Sequence, residues 1–437
     1  MARPVISPMP PVAEGVALPW DEPVGDAVAV IGEARAVLGD TFVVDSGADR
    51  YLFMFSPAGV TELYRLPEER ASKGVADWRM LRRKVPDELF AGRRTFPHDL
   101  FGRDDSATYM ANVRSALDVT IDELGAMGSV DVFDLTRRLG HRVGLASWGG
   151  PGSGDQATLD RLIAAFDVLD GSEAFVHPDV MAAVAESGKR AEKAALAAVT
   201  ELLGSSLDRL DSDPELERVH PLFSRIAAAW SGEPEQVRRT GVAHDVALIH
   251  IASMSNLFAA MGWALTDVLS DEVACRRIRD GDSVWAEQCA MESTRMAQRS
   301  IMSRFVLEPV TISDGTRCFD VARGATIATL LPLTNTSSAP GYDKWIPSRW
   351  NRRRLADAST LQAVELVTVF GHGKHTCPAQ PFSLAALTAA TTALVTCFEW
   401  TPGWDLRPRP VPAQIGGVAR ASGPCPVAYR KVSPRRT

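Results

Sequence analysis

The stretch Val369-Phe370-Gly371-His372-Gly373-Lys374-His375-Thr376-Cys377-Pro378-Ala379 decides how the rest of the chain is read. It is a glycine-rich loop that delivers one cysteine to the start of an apolar, helix-like run, Phe382 to Phe398. A cysteine at a helix entry faces the positive end of the helix dipole and unpaired backbone N–H groups, and both favour thiolate over thiol. Pro378 suits that entry, because its ring fixes φ and a first helical turn does not need its missing donor. Gly371 and Gly373 allow positive φ or close backbone approach, so the loop can lie flat against a large planar ligand. A buried free cysteine ahead of an ordinary helix is the competing reading of the same residues.

Two elements upstream bear on that choice. Glu292-Ser293-Thr294-Arg295 places a carboxylate and a guanidinium at i,i+3, on one helix face where they can meet. Alone this is a weak signal, but it precedes Pro347-Ser348-Arg349-Trp350 and then the cysteine loop. In that order, E-x-x-R, P-x-R-W and F-G-x-G-x-H-x-C-x-A, the chain resembles the cytochromes P-450, the haem-thiolate monooxygenases.

The resemblance implies a single mainly α domain with a small β region, the cytochrome P-450 fold, spanning residues 1–437 with an extended arm over residues 1–25. It implies haem b with Cys377 as axial iron ligand and Phe370 and Gly371 in the haem-binding loop. Glu292, Arg295 and Arg349 would form a buried structural network. Arg304, twelve residues beyond Glu292, and His375, two before Cys377, match positions that hold haem propionates. A surface salt bridge is the alternative for Arg304. Lys84, Arg93, Arg94 and His98, in an irregular stretch from Glu69 to Gly102, are either a solvated basic loop or propionate and substrate contacts. Arg114 is the one basic residue within the following helix, Asp104 to Gly125, where the family often places another propionate ligand.

The central helix of the family falls on Gly241 to Ser270. Its usual acid-alcohol pair is absent here, because Ser255 takes the acid position and Asn256 the threonine position. Ala252-Ser253-Met254-Ser255-Asn256, with Trp263 further on, is similar to the bile-acid and sterol hydroxylase branch and to prostacyclin synthase. Asn256 can donate a hydrogen bond to bound oxygen or hold a water but cannot ionise. The alternative is that it bonds a carbonyl one turn back. No arginine or lysine occurs between Gly241 and Ser270, which disfavours a peroxide-driven fatty-acid enzyme. By family position Ala252, Met254, Leu257, Phe258, Phe305, Val306 and Ile415 give a mainly apolar pocket, the alternative being that Leu257 or Phe258 is simply core. Gly416-Gly417 is read as a turn reaching it, or a plain hairpin.

The expected function is oxygen insertion from O2 into a medium-sized hydrophobic substrate such as a steroid or terpenoid. Electrons would come from a ferredoxin or flavodoxin docking on Lys344, Arg352, Arg353, Arg354 and Lys374, a face that solvated surface charge explains equally well. The alternative function is a haem-thiolate isomerase or dehydratase needing no external electrons.

Composition sets limits around this reading. With 437 residues, 46% hydrophobic and 23% charged, the chain can bury a large core. A net charge of −7 and the lack of a basic run with interleaved aromatics argue against nucleic-acid binding. The six cysteines have no CxxC pair, so neither a zinc site nor a disulfide framework is indicated. Met1 to Leu18 is proline-rich without a continuous apolar segment, and Val246 to Leu269 is interrupted by His250, Ser253, Ser255 and Asn256. A cytoplasmic monomer without a membrane anchor is expected.

Along the chain, Thr41–Asp45 and Arg50–Phe55 are expected to form a hairpin, and Ser56-Pro57 to open a helix. Helices are expected at Val132 to Trp148, Gln156 to Val168 and Val180 to Leu203, the last after a segment, Asp170 to Pro178, that the family uses as a lid. Asp208 to Pro234 reads as charged and turn-rich.

Overall fold

In the computed structural model, which describes residues 3–96, 100–351 and 353–432, helices dominate and four small sheets sit at the margins. His98 and Arg352 lie outside the described residues. The helices are α1 (Ala27–Leu38), α2 (Pro57–Arg65), α3 (Lys73–Leu81), α4 (Ser106–Leu124), α5 (Val132–Trp148), α6 (Gln156–Asp170), α7 (Pro178–Glu186), α8 (Arg190–Ser212), α9 (Pro221–Ala229), α10 (Glu235–Leu269), α11 (Glu272–Arg279), α12 (Ser283–Ala297), α13 (Leu331–Ser337) and α14 (Gln380–Cys397), with shorter turns between them. The strands are β1 (Ile6–Ser7), β2 (Thr41–Ser46), β3 (Asp49–Met54), β4 (Ala71–Ser72), β5 (Met127–Asp131), β6 (Ile301–Val306), β7 (Val310–Ser313), β8 (Cys318–Val321), β9 (Thr326–Leu330), β10 (Trp350–Asn351), β11 (Arg354–Leu355), β12 (Phe398–Pro402) and β13 (Pro426–Lys431).

The 35-residue α10 is the axis of the molecule. It is long and apolar enough to cross a membrane, but most of it is buried inside the protein, so here it is a core helix. Paired glycines make its closest packing possible. A Cβ on Gly140 of α5 would lie 2.8 Å from the Phe258 Cβ, and one on Gly144 would lie 2.7 Å from the Met254 Sδ. Glycines four residues apart thus form a groove on α5 for side chains four apart on α10.

The largest sheet has the order β2-β3-β9-β6-β4. Its β2–β3 hairpin pairs Thr41 with Met54, β3 runs parallel to β9 with Leu52 opposite Ile327, and β6 runs antiparallel to β9 with Arg304 opposite Ile327. Alternation along β6 sends Met302, Arg304 and Val306 to one face and Ile301, Ser303 and Phe305 to the other. The N-terminal arm is tied down: β1 pairs with β8, and Val12 bridges to Val43.

Several expected boundaries move. The irregular stretch after Glu69 contains α3, started by Ser72, whose hydroxyl accepts from the Val75 N–H. The expected long helix from Val180 is broken into α7 and α8 at Gly188 and Lys189, both at positive φ. The turn-rich segment after Asp208 holds the end of α8 and all of α9.

Candidate functional site

Cys377 lies ahead of α14, but the helix begins at Gln380 and its entry proline is Pro381, not Pro378. The Cys377 N–H donates to the Phe370 carbonyl at 2.6 Å, closing the loop on itself. Gly371 at φ 80° and Gly373 at φ 56° make the reversal, and a side chain on Gly371 would run into the His375 carbonyl. Phe370, half-buried, packs on the main core cluster. Burial raises the Cys377 thiol above its ordinary range, against the Ala379 and Gln380 N–H groups, which donate to the sulfur and favour thiolate. The expected net stabilisation of S⁻ by the helix entry is therefore outweighed in the protein alone, because desolvation penalises an isolated charge more than two amides offset it.

Beneath this loop the predicted network is present. Arg295 donates to Glu292 through Nε at 2.9 Å and Nη2 at 2.7 Å, and Arg349 Nε lies 3.4 Å from the same carboxylate. Trp350 Nε1 and the Ile346 N–H also donate to Glu292, at 2.9 and 3.0 Å. Both Glu292 and Arg295 are fully buried, so the charges depend on this complete set of partners. A chain of hydrogen bonds carries the network to the cysteine loop. Asn335 donates to the Arg295 carbonyl at 3.2 Å and accepts from the Thr368 N–H at 2.8 Å, and the Thr368 hydroxyl accepts from the Gly371 N–H at 2.7 Å. Asn335 and Thr368 had no motif to mark them.

Arg304 and His375 also meet. The guanidinium donates to His375 Nε2 at 2.6 Å and to the Ala71 and Leu66 carbonyls at 2.7 and 2.5 Å. Since arginine can only donate, that nitrogen is an acceptor and the imidazole is neutral. Burial, then the adjacent Arg304, brings His375 down to about 4. Among the other basic candidates, Lys84 is buried and bonds the Val168 and Leu169 carbonyls at the end of α6, Arg93 bonds the Thr95 carbonyl, Arg94 pairs with Glu233, and Arg114 is exposed. None of these four joins Arg304 and His375.

On α10 the exposure pattern opens where the sequence departs from regular packing. Ala252 is exposed and Ser253, Ser255 and Asn256 are half-buried, in the middle of a helix otherwise enclosed by protein. This face is therefore open to solvent. Met254 and Phe258 are not part of it: they lie on the opposite side, locked against α5, and are core residues with Leu257. The remaining expected pocket residues also separate. Val306 is buried in a second cluster and Ile415 in a third. Phe305 stacks under Arg79 and lines a cavity of about 260 Å³ with Trp20, Asp49, Tyr51 and Arg83.

Asn256 ties α10 to the loop at residues 416–418. Its Oδ1 accepts from the Val418 N–H at 2.8 Å, and Nδ2 donates to the Ala252 carbonyl at 3.3 Å. Gly417, at φ 63°, is the turn this contact requires, because a Cβ there would collide with Oδ1. Of the two readings of Asn256, the bond one turn back is the one present, and the glycine turn packs against the helix at that residue. The second amide hydrogen of Asn256 is left over from these bonds.

Two further polar groups that the sequence did not single out lie near α10. His250 of α10 donates from Nε2 to Nδ1 of His141 on α5 at 2.8 Å, since its own Nδ1 accepts from Trp148 Nε1 at 3.2 Å. The donor-only indole fixes both tautomers, so the pair is a neutral clamp between helices rather than a two-way proton path. Asp170 is the last residue of α6, and burial pushes its carboxyl up to about 7 against the pull of Arg420, Ser255 and Lys84.

Among the described residues, no three His, Cys, Asp or Glu side chains gather to hold a metal ion. A metal at Cys377 would need its other ligands from outside the chain, which a porphyrin supplies. The positive-φ glycines, the amides on Sγ and the remaining Nδ1–H of half-buried His375, backed by Arg304, suit such a group. No protein-family model matches this chain, and no curated protein matches it.

Proposed function

We propose that the chain is a haem-thiolate oxidoreductase of the cytochrome P-450 type, with that fold, which inserts oxygen from O2 into a hydrophobic substrate. The observation that carries this reading is the joining of the Glu292–Arg295–Arg349 network to the Cys377 loop through Asn335, Thr368 and Gly371. A fully buried ion network is costly to build and sets the loop's position from below, which an ordinary buried cysteine would not need.

In this reading Cys377 holds haem b through Sγ, with the Ala379 and Gln380 N–H groups tempering the sulfur's charge. Arg304 and His375 take the haem carboxylates, and Phe370 and Gly371 set the loop against its face. Bound haem supplies the activation of dioxygen that no amino-acid side chain provides. Asn256 keeps one amide hydrogen for orienting a water or substrate oxygen beside Ala252. The glycine turn at Gly417 holds that amide in place. The substrate lies along Ala252 and Ser253, a narrower and more polar wall than Met254 and Phe258 would have made.

Electrons come from a small acidic donor, a ferredoxin or flavodoxin, docking near the exposed Lys374 and Arg354. Arg353 contributes less charge to that face, being paired with Glu287 at 3.1 Å.

The test is the absorbance of the purified protein after dithionite reduction and CO addition. The strongly red-shifted Soret band of a thiolate complex is expected, and Cys377→His should move it to the ordinary imidazole position. No haem signal from protein expressed with haem available removes the proposal.

A further inference from the structure

The face of β6 opposite Arg304 forms part of the floor of the cavity of about 260 Å³. There β3, β9 and β6 lie side by side, with Tyr51 opposite Thr326 and Thr326 opposite Phe305, so one row of the sheet presents a phenol, a hydroxyl and a ring. Ser303 is the next residue of β6 on the same face. α3 packs on β6 and, with the turn that follows it, covers the cavity with Met80, Arg79, Arg82 and Arg83. We propose that this cavity is a binding site for a small organic carboxylate with an apolar body, separate from the site at Cys377 and independent of the function proposed for it.

Unanswered polarity on the floor is the first reason. Tyr51, Ser303 and Thr326 are exposed by only 8%, 8% and 7%, all three line the cavity, and none of their hydroxyls bonds a described residue. Buried hydroxyls in folded proteins are nearly always partnered, so three on one floor are served only by what enters the cavity. Trp20, on the wall, adds an indole N–H that has no acceptor among the described residues.

The kind of partner that is lacking is the second reason. Asp49, the carboxylate that lines the cavity, is taken on both oxygens: Arg79 Nη2 donates to Oδ1 at 2.9 Å and Arg83 Nη2 to Oδ2 at 3.0 Å. Arg83 Nη1 donates to Asp21 at 2.7 Å, whereas Arg79 uses a single N–H of its fork. Donors are therefore in excess around the cavity, which an oxyanion answers and a cation does not. Charge sets the size of that anion. Arg79 and Arg83 balance Asp49 and Asp21, while Arg82 and Lys189 share Asp87, so one positive charge is left over at the cavity's edge. A carboxylate matches it, and a phosphate, with nearly two charges at neutral pH, overshoots.

The remaining walls describe the body of the ligand. Ile301, Met80 and the Phe305 ring are apolar, and the Arg79 guanidinium lies over that ring, 4.3 Å from its centre. A carboxylate bonded to Arg79 thus stands at the edge of an apolar surface on which a ring or short chain can lie. The volume falls below the range of about 300–1,000 Å³ common for drug-sized ligands, so the body is small.

Calorimetric titration of the full chain with 2-naphthoate and with its uncharged isostere 2-naphthamide tests the site. Naphthoate should bind once per chain, and the amide at least about 10-fold more weakly. Arg79→Gln should weaken naphthoate about 10-fold and leave the amide nearly unchanged. Tyr51→Phe and Ser303→Ala, which remove hydroxyls without adding bulk, should each weaken it about 3–10-fold. Ala76→Phe, which fills the cavity from α3, should abolish binding with urea unfolding still cooperative. In haem-loaded protein, saturating naphthoate should leave the Soret band in place, because the ligand lies on the face of the sheet away from Arg304. No binding at about 1 mM, equal binding of acid and amide, or binding that survives both Arg79→Gln and Ala76→Phe overturns the site. A Soret shift with the calorimetric midpoint puts the ligand at the iron and overturns its separateness. Inorganic phosphate bound with the same dependence on Arg79 overturns the choice of a carboxylate with an apolar body. Calorimetry reads binding whether or not haem is present, so failure here is distinct from failure of the Soret test for Cys377.

Discussion

Around Cys377 the polar groups come from short runs, Glu292 to Arg295, Ser348 to Trp350 and Thr368 to Cys377, the first two bonded directly and the third joined to them through Asn335. Around α10 they come from single residues far apart in the chain: Asp170, His141, His250, Ser255 and Arg420. The first region is a rigid platform, with every buried charge paired. The second is a set of polar groups between packed helices, where a carboxyl and two imidazoles are neutral or near neutrality because burial prevails over their partners. Complete pairing settles the charges of the first region, whereas in the second burial decides them.

The largest expected effect lies on the platform. Glu292→Ala leaves Arg295 and Arg349 buried and without their shared carboxylate, at a cost of about 3–5 kcal/mol in urea unfolding at neutral pH. A loss below about 1 kcal/mol would show that water enters and solvates the two guanidinium groups. Thr368→Val should cost less, yet loosen the loop measurably, because it removes only the link to the Gly371 N–H.

Next in size is an acid instability confined to the other region. Burial, then Arg137 and Arg420, lowers His141 to about 3, and burial lowers His250 well below its ordinary value. A depressed histidine contributes stability that is present above the unfolded value of 6.5 and lost as pH falls towards the folded one. By pH 5 the His141 contribution to that loss is about 2 kcal/mol. His141→Phe, which sits between the Phe166 and Phe258 rings, should flatten stability against pH between about 6.5 and 5 even if it lowers stability at pH 7. An unchanged slope would mean the unfolded chain protonates no more readily than the native one.

These two regions also differ in how far they could be read from sequence. The platform was legible because its chemistry follows spacing: i,i+3 on α12, glycines about a cysteine, and arginine followed by tryptophan. Asn335 was not, since an asparagine bonding two backbone carbonyls has no periodic signature. On α10 the missing acid-alcohol pair was visible, but not what lies near it, because Asp170 is 85 positions away and its nearness depends on how α6 crosses α10. Met254 and Phe258 were misplaced for a related reason. A helix that is apolar on most sides does not reveal which side is open, although Gly140 and Gly144, four apart on α5, mark the groove that receives them. The Val180 break was hidden by alanines on both sides, which favour helix regardless of where the chain turns.

A smaller effect joins the two regions at the glycine turn. Gly417→Ala places a Cβ against Asn256 Oδ1 at a φ that alanine adopts poorly, and should cost about 1–3 kcal/mol. Asn256→Ala alone should cost about 1 kcal/mol for its bond to the Val418 N–H. In the double variant the collision is gone but the strained φ remains, so the two costs should fall short of adding. Additive costs would place the whole penalty in the backbone.

The smallest effect on stability belongs to the platform's outer face. Lys374→Glu and Arg354→Glu change exposed side chains that form no ion pair among the described residues, and should alter unfolding free energy by no more than about 0.5 kcal/mol. Their effect should appear instead in the rate of reduction by an acidic ferredoxin, slowed at low salt and converging with wild type as salt screens the encounter. Arg353→Glu is the internal comparison. Its guanidinium already serves Glu287, so removing it frees a negative charge on the same face and should slow reduction as well, while stability falls by the small amount an exposed pair contributes, about 0.2–1 kcal/mol. If all three variants are reduced as fast as wild type at low salt, the donor docks elsewhere, and the positive residues beside Cys377 are surface charge with no part in electron delivery.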